Sequence, residues 1–450
     1  MAACLPIPQY VCFCDNKSRL IQLPSFDETI FEMAFNLYGV FTIILILTAA
    51  FSYINTRFIK LPATIGVMLI SLVCSLLLLG IGRLNPALIE RPVAVIRSLD
   101  FETLLMRVML SFLLFAGAIH IDVKKLRREF APIATYATVG VVLSTGIIGI
   151  LMSFIFGWFG LPVPLIYCFL FGALISPTDP IAVLGILKDA KIPSSLEIKI
   201  AGESLFNDGV GVVIFASLLE IALLGTENLS VGDIAVLFVK EAGGGIIWGL
   251  LLGYLVFYLL RSIDQYQVEV LITLAMVMGG YLLASFLHVS GPLAMVVAGI
   301  IIGNKGKMEA MSDTTKDYVI KFWELIDEIL NALLFLLIGF EMIVLSFHSQ
   351  TIWIGLISVV VVLAARWLSV FLPTLILSFR RKIERSLIPI LTWGGLRGGI
   401  SVALALSLPR SEIRNTFVSI TYIIVVFSIL VQGLTIGKLA KRLNPSSEKL

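Results

Sequence analysis

Apolar residues in this chain fall into long blocks, each about the 19–20 residues that a helix needs to cross a hydrocarbon core. The blocks predict thirteen spans: approximately 36–56, 62–82, 101–120, 132–157, 163–187, 198–224, 232–260, 268–288, 291–303, 320–346, 352–377, 386–408 and 413–437. The ninth is short. Three blocks contain polar or glycine-rich runs: Ser176-Pro177-Thr178-Asp179-Pro180 in span 5, Gly202-Glu203-Ser204-Leu205-Phe206-Asn207-Asp208-Gly209 in span 6, and Gly394-Gly395-Leu396-Arg397-Gly398-Gly399 in span 12.

Basic residues orient the pattern. With the N-terminus outside, the predicted cytoplasmic segments hold 22 of the 33 Lys and Arg and the outside segments seven; four (Arg107, Lys240, Arg366 and Arg397) fall within spans. The positive-inside rule then expects an external N-terminus, a cytoplasmic C-terminus and an odd number of spans. The expected organisation is a short extracytoplasmic arm (1–35), a single membrane transport domain (36–438) and a short cytoplasmic tail (439–450). Interrupted spans 5 and 12 occupy matching places if spans 1–6 and 8–13 are inverted repeats. Broken segments in corresponding positions point to a transporter site. Gly245, Gly249 and Gly253 in span 7 form a small-residue stripe for close helix packing, as do Gly140, Ser144 and Gly149 in span 4.

Composition sharpens the class. The chain is 58% hydrophobic and 14% charged, with a mean hydropathy of +1.01, which excludes a soluble domain. No basic cluster with interleaved aromatics suits nucleic acid, and the first 32 residues do not read as a cleaved signal peptide. Cys74 and Cys168 read as small core residues; Cys4, Cys12 and Cys14 leave a disulfide open in the arm. No spacing suits a resident metal or cofactor.

The chemistry lies in spans 5 and 6. A charge at the centre of a bilayer costs about 2.5–3.5 kcal/mol even on the lenient insertion scale, so Asp179, Glu203 and Asp208 require partners, protons or ions. Proline within span 5 frees carbonyls near Ser176 to Thr178, and these are hard ligands for small cations. The competing structural reading is a kinked helix whose Thr178 or Asp179 caps its second half. On span 6, Ser204 and Asp208 share one face while Glu203 and Asn207 form a neighbouring pair. Arg397 is the expected cationic partner of Glu203, and Arg366 is expected to snorkel or to meet a carbonyl. Glu324, Asp327 and Glu328 read as acids opening span 10, either drawing cations or simply favoured by the helix macrodipole. Asn331 and Glu341 are assigned to helix–helix bonding or interfacial positions, and His120, His288 and His348 lie near span ends.

Together the three motifs resemble the monovalent cation/proton antiporters of the NhaP and animal sodium/proton exchanger type. The resemblance covers nearly the whole membrane domain. It implies an all-α polytopic protein of about 13 transmembrane helices, two inverted repeats with discontinuous crossing helices, and usually a homodimer. It also implies exchange of Na+ (or Li+) for H+, electroneutral and one-for-one, by alternating access. The implied ion site comprises Thr178 (main chain), Asp179, Ser204 and Asp208, with Asn207 beside it and Glu203–Arg397 as the structural pair. Desolvation disfavours the bare charge of Asp208, so the carboxylate would hold either a proton or a cation. Related proteins often carry an acid in span 3 where this chain has Leu114-Phe115-Ala116-Gly117, so gating or pH response from that helix does not carry over. The short C-terminus is expected of a bacterial plasma-membrane protein. K+/H+ antiport is the alternative within the fold; a cation channel or an intramembrane protease is the remote one.

Overall fold

The structure, a computed structural model, describes residues 37–85, 90, 93–94, 103–179, 181–189, 192–224, 231–345, 347–379, 384 and 386–443. The expected N-terminal arm with its three cysteines, Pro180, and residues 444–450 of the expected tail lie outside them. The described chain is helical throughout, with one isolated antiparallel bridge. The helices that build the packing and the site are α1 (Leu37–Ile54), α2 (Ala63–Leu84), α3 (Leu110–Ile119), α4 (Val141–Trp158), α5 (Leu165–Ile175), α6 (Ile181–Asp189) and α7 (Ser194–Leu224). They continue as α8 (Val231–Arg261), α9 (Tyr266–Phe286), α10 (Gly291–Ile301), α11 (Asp313–Glu341), α12 (Ser349–Ser378), α13 (Leu387–Trp393), α14 (Gly399–Leu406) and α15 (Glu412–Phe427). Among the described residues, eight helices are long and apolar enough to cross a membrane by length and composition.

Spans 5 and 12 are each split as expected, into α5/α6 and α13/α14. Their interruptions meet: the Asp179 N–H donates to the Leu396 carbonyl at 2.8 Å, forming the isolated bridge. One expectation is corrected here. Helix α11 begins at Asp313, where the Ser312 hydroxyl accepts from the Thr315 N–H at 3.3 Å. Glu324, Asp327 and Glu328 therefore sit about three to four turns inside the helix, not in its first turn, and the macrodipole does not account for them.

Apolar packing forms two bodies. In the first, Phe156 of α4 stacks on Phe417 of α15 with ring centroids 5.8 Å apart, and Phe171 of α5 meets the same ring edge-on at 5.1 Å. In the second, Trp323 of α11 is fully buried, 4.6 Å from Phe115 of α3. Helix α7 serves both: Leu196, Ile200 and Phe215 pack in the first body, Ile198 and Leu205 in the second. This accounts for the apolar character of α7 at Leu205 and from Val210 to Phe215; its charges outside the insert, Glu197, Lys199 and Glu220, lie toward its two ends.

The glycine stripe of α8 does pack, against α10. A Cβ on Gly245 would lie 2.5 Å from the Ser290 carbonyl, and one on Gly249 the same distance from the Ala294 carbonyl.

Candidate ion-binding site at the crossing of the broken helices

A helix interrupted inside a membrane frees backbone groups that lipid cannot satisfy. Here side chains from neighbouring helices satisfy them. Below α5, the Thr178 N–H donates to Asn207 Oδ1 at 3.2 Å, and Asn207 Nδ2 donates to Thr178 Oγ1 at 2.7 Å. Ser204 Oγ donates to the Thr178 carbonyl. Two residues of α7, three positions apart and so on one side of the helix, thus clamp both faces of Thr178. In span 12, the Arg397 N–H donates to Ser428 Oγ at 2.9 Å, and Gln432 Nε2 donates to the Trp393 carbonyl at 3.0 Å. Ser428 in turn donates to Gln432 Oε1 at 2.8 Å. Both belong to a π-helical turn, Ser428–Gly433, that follows α15.

Glu203 is the point at which the sequence expectation fails. Its partner is Arg366 of α12, not Arg397: Arg366 Nη1 lies 2.6 Å from Glu203 Oε1, and Nη2 lies 2.8 Å from Oε2. Arg366 Nε also donates to the Leu391 carbonyl at 3.1 Å, so the expected carbonyl contact is present. At 5% exposed, however, the residue does not snorkel. Asn207 Nδ2 adds a 3.2 Å bond to Glu203 Oε1, so both Glu203 oxygens are occupied within the protein.

Arg397 does something else. Its Nη1 donates to the carbonyls of Ser176 at 2.7 Å and Pro177 at 3.0 Å. It places a cation on the carbonyl end of α5, where the half-helix dipole is negative. The sequence drew attention to Arg397 because glycines surround it, and passed over Arg366 because its flanks are plain apolar helix. The available signal was depth, since an arginine in mid-span needs a counter-charge.

Asp179 and Asp208 remain. Both line a cavity of about 650 Å³ together with Pro177 and Thr178. Asp208 is buried. Gly398 permits the close approach of Asp179: a Cβ there would lie 2.7 Å from Asp179 Cβ and 3.0 Å from its Cγ. The lining runs past Gly117 and His120 to Asp122, Lys125 and Ser194, which are exposed, so the cavity opens at the face carrying the short helix Val123–Arg128. Ala116 is fully buried among apolar residues; its neighbour Gly117 lines the cavity instead.

The expected site residues are therefore brought together, with Arg366 added and Arg397 reassigned. The three carboxylates Asp179, Glu203 and Asp208 stand against two guanidiniums, those of Arg366 and Arg397. That balance leaves one negative charge, which a single proton or monovalent cation offsets.

A multi-pass membrane protein in which two broken helices cross beside buried carboxylates and a cavity has the architecture of a secondary transporter. Residues 45–442 match the family described as "Sodium/hydrogen exchanger, transmembrane", and the chain belongs to that family. It is 54% identical over 402 residues to the Na(+)/H(+) antiporter NhaP of Pseudomonas aeruginosa, covering 88% of this chain and 95% of that protein. It is 35% identical to the Na(+)/H(+) antiporter NhaH of Halobacillus dabanensis, covering 89% and 97% of the two. Among solved structures, the sodium proton antiporter MjNhaP1 of Methanocaldococcus jannaschii shares the fold, with a TM-score of 0.71, 21% identity, and coverage of 92% of this chain and 99% of that one. These relatives are named as transporters rather than enzymes.

Proposed function

We propose that this protein exchanges Na+ (or Li+) for H+ across the bacterial plasma membrane, one for one, by alternating access, with cation and proton competing for Asp208. The observation that carries this reading is the shared cavity. Asp208, Asp179 and the interrupted backbone at Thr178 line one cavity, while Glu203 is already occupied by Arg366. Ser204 and Asn207 hold Thr178 in place, and Ser204 stands one turn from Asp208 on the same face. Asp208, Asp179, Ser204 Oγ and the Thr178 carbonyl form the oxygen set for the cation.

Competition follows from charge. With one negative charge in excess, the site accepts a proton or a monovalent cation and is equally neutralised by either. The loaded forms then move across the membrane with the same charge, so voltage favours neither; a difference of one charge would be worth about 2.3 kcal/mol per 100 mV. The empty form keeps a bare carboxylate between helices, and its desolvation cost opposes movement. That opposition couples the two fluxes.

The distribution of Lys and Arg supports an external N-terminus, and the cavity mouth beside Lys125 then faces the cytoplasm. The family resemblance extends the reading to a single transport domain over 36–438 that assembles as a homodimer in the bilayer.

The test is proton release from inside-out vesicles, followed by fluorescence dequenching as Na+, Li+ and K+ are added in turn. Dequenching by Na+ and Li+ that is lost in Asp208→Asn supports the reading. A response to K+ alone would reassign the cation, and exchange that survives Asp208→Asn would sink the mechanism.

A further inference from the structure

A second polar patch lies in the cavity wall, on α11 and α14, and the site above does not use it. Asn331 and Ser401 are 2% and 1% exposed, and both Asn331 Oδ1 and Ser401 Oγ are buried without a hydrogen-bond partner. Asp327, one turn before Asn331, leaves its Oδ1 unpartnered as well. All three residues line the cavity that also reaches Asp179 and Asp208.

The patch is built, not incidental. Asn331 Nδ2 donates to the main-chain carbonyl of Asp327 at 2.8 Å, which commits the amide nitrogen to its own helix and leaves the oxygen as the free acceptor. Gly399 opens α14 close against Leu334 of α11; a Cβ there would lie 2.8 Å from Leu334 Cγ. This contact holds the turn bearing Ser401 against the turn bearing Asn331. Because α11 starts at Asp313, a helix terminus does not stabilise the Asp327 charge. A carboxylate oxygen, an amide oxygen and a hydroxyl, each of these atoms without a hydrogen-bond partner and each on a residue that lines one cavity, are the hard oxygen donors that small cations take. Asp327 also adds a negative charge beyond the one that the crossing leaves in excess.

We propose that Asp327, Asn331 and Ser401 form a second binding site for the monovalent cation, a waiting position in the cavity from which the ion passes to Asp208. The inference rests on the reading of Asp208 as the exchange site, and the experiment separates the two.

Purified full-length protein is dialysed to equilibrium against 22Na+ at alkaline pH, where the carboxylates are least protonated, and bound ions per chain are counted. Wild type should bind two, Asp208→Asn one, and the Asp208→Asn/Asp327→Asn pair none. In the Asp208→Asn background, Asn331→Ala and Ser401→Ala should each weaken the remaining site, and Asp327→Glu should retain it. In vesicles, Asp327→Asn alone should raise the KM for Na+ about tenfold, the factor that 1.4 kcal/mol of lost interaction gives, with kcat retained. The proposal is overturned if Asp208→Asn binds no Na+, or if its residual Na+ is indifferent to Asp327→Asn and to Asn331→Ala. Exchange that persists in Asp208→Asn overturns the reading beneath it instead.

Discussion

Two arginines attend the three carboxylates, and they are not equivalent. Arg366 grips Glu203 through both oxygens in a fork that only a guanidinium makes. Arg366→Ala would strand a buried carboxylate, at a cost of about 3–5 kcal/mol. We expect a large fall in the unfolding temperature of the purified protein. Arg366→Lys keeps the charge but loses one of the paired bonds, so it should recover only part of that loss. If Arg366→Ala is as stable as wild type while Arg397→Ala is not, the pairing described above is wrong. Gly398 gives a second expectation at this scale. The methyl of Gly398→Ala would press on Asp179, whose Cβ lies 2.7 Å from that position, so the carboxylate must shift. The variant should fold, and its KM for Na+ should rise about tenfold or more, read in the same vesicle assay.

At the scale of the element, the broken helices depend on bonds supplied from elsewhere. Span 5 is held open by α7 through Asn207 and Ser204, and span 12 by the π-helical turn that carries Ser428 and Gln432. Gln432→Leu removes the donor to the partly buried Trp393 carbonyl and the acceptor for the buried Ser428 hydroxyl. A loss of about 1–3 kcal/mol is expected for each stranded group, visible as a lower unfolding temperature and faster proteolysis near residue 393. The interruption of span 5 was legible because proline cannot sustain a helix in mid-span, and that of span 12 because glycines cluster there. The residues that repair the second break were not legible. Ser428 and Gln432 lie in an unremarkable apolar run, and nothing local marks which distant carbonyl they meet. The start of α11 at Asp313 was missed for a related reason: its first two turns are polar, and a hydropathy window does not register them.

On the scale of the whole molecule, α7 stands between two apolar bodies and carries the polar insert at the cavity. In the proposed alternating access these bodies move past one another, and the Glu203–Arg366 pair stays intact because α7 and α12 both pack in the first body. Two outcomes follow from the proposed mechanism. Because proton and cation compete for one carboxylate, the apparent KM for Na+ should rise about tenfold for each pH unit of acidification once protons occupy most of the sites. A KM that does not vary with pH would exclude shared occupancy. The mouth of the cavity is also testable. In a background lacking the native cysteines, Ser194→Cys should react with an impermeant maleimide from the cytoplasmic side only, and labelling from outside would invert the proposed topology.

Taken alone, the sequence determined that the chain is a polytopic helical membrane protein, where its two broken spans fall, and which short motifs hold its intramembrane carboxylates. These properties follow from local physics: the length of an apolar run, the missing N–H of proline, and the cost of an acid in lipid are all readable residue by residue. Only the tertiary structure decided which arginine neutralises Glu203, that Arg397 instead caps the carbonyl end of α5, and that Asn331 and Ser401, with oxygens unpartnered, line the same cavity as Asp179 and Asp208. Those outcomes depend on how helices distant in the chain are rotated against one another, and that rotation is fixed by packing summed over whole helix faces, not by any one motif.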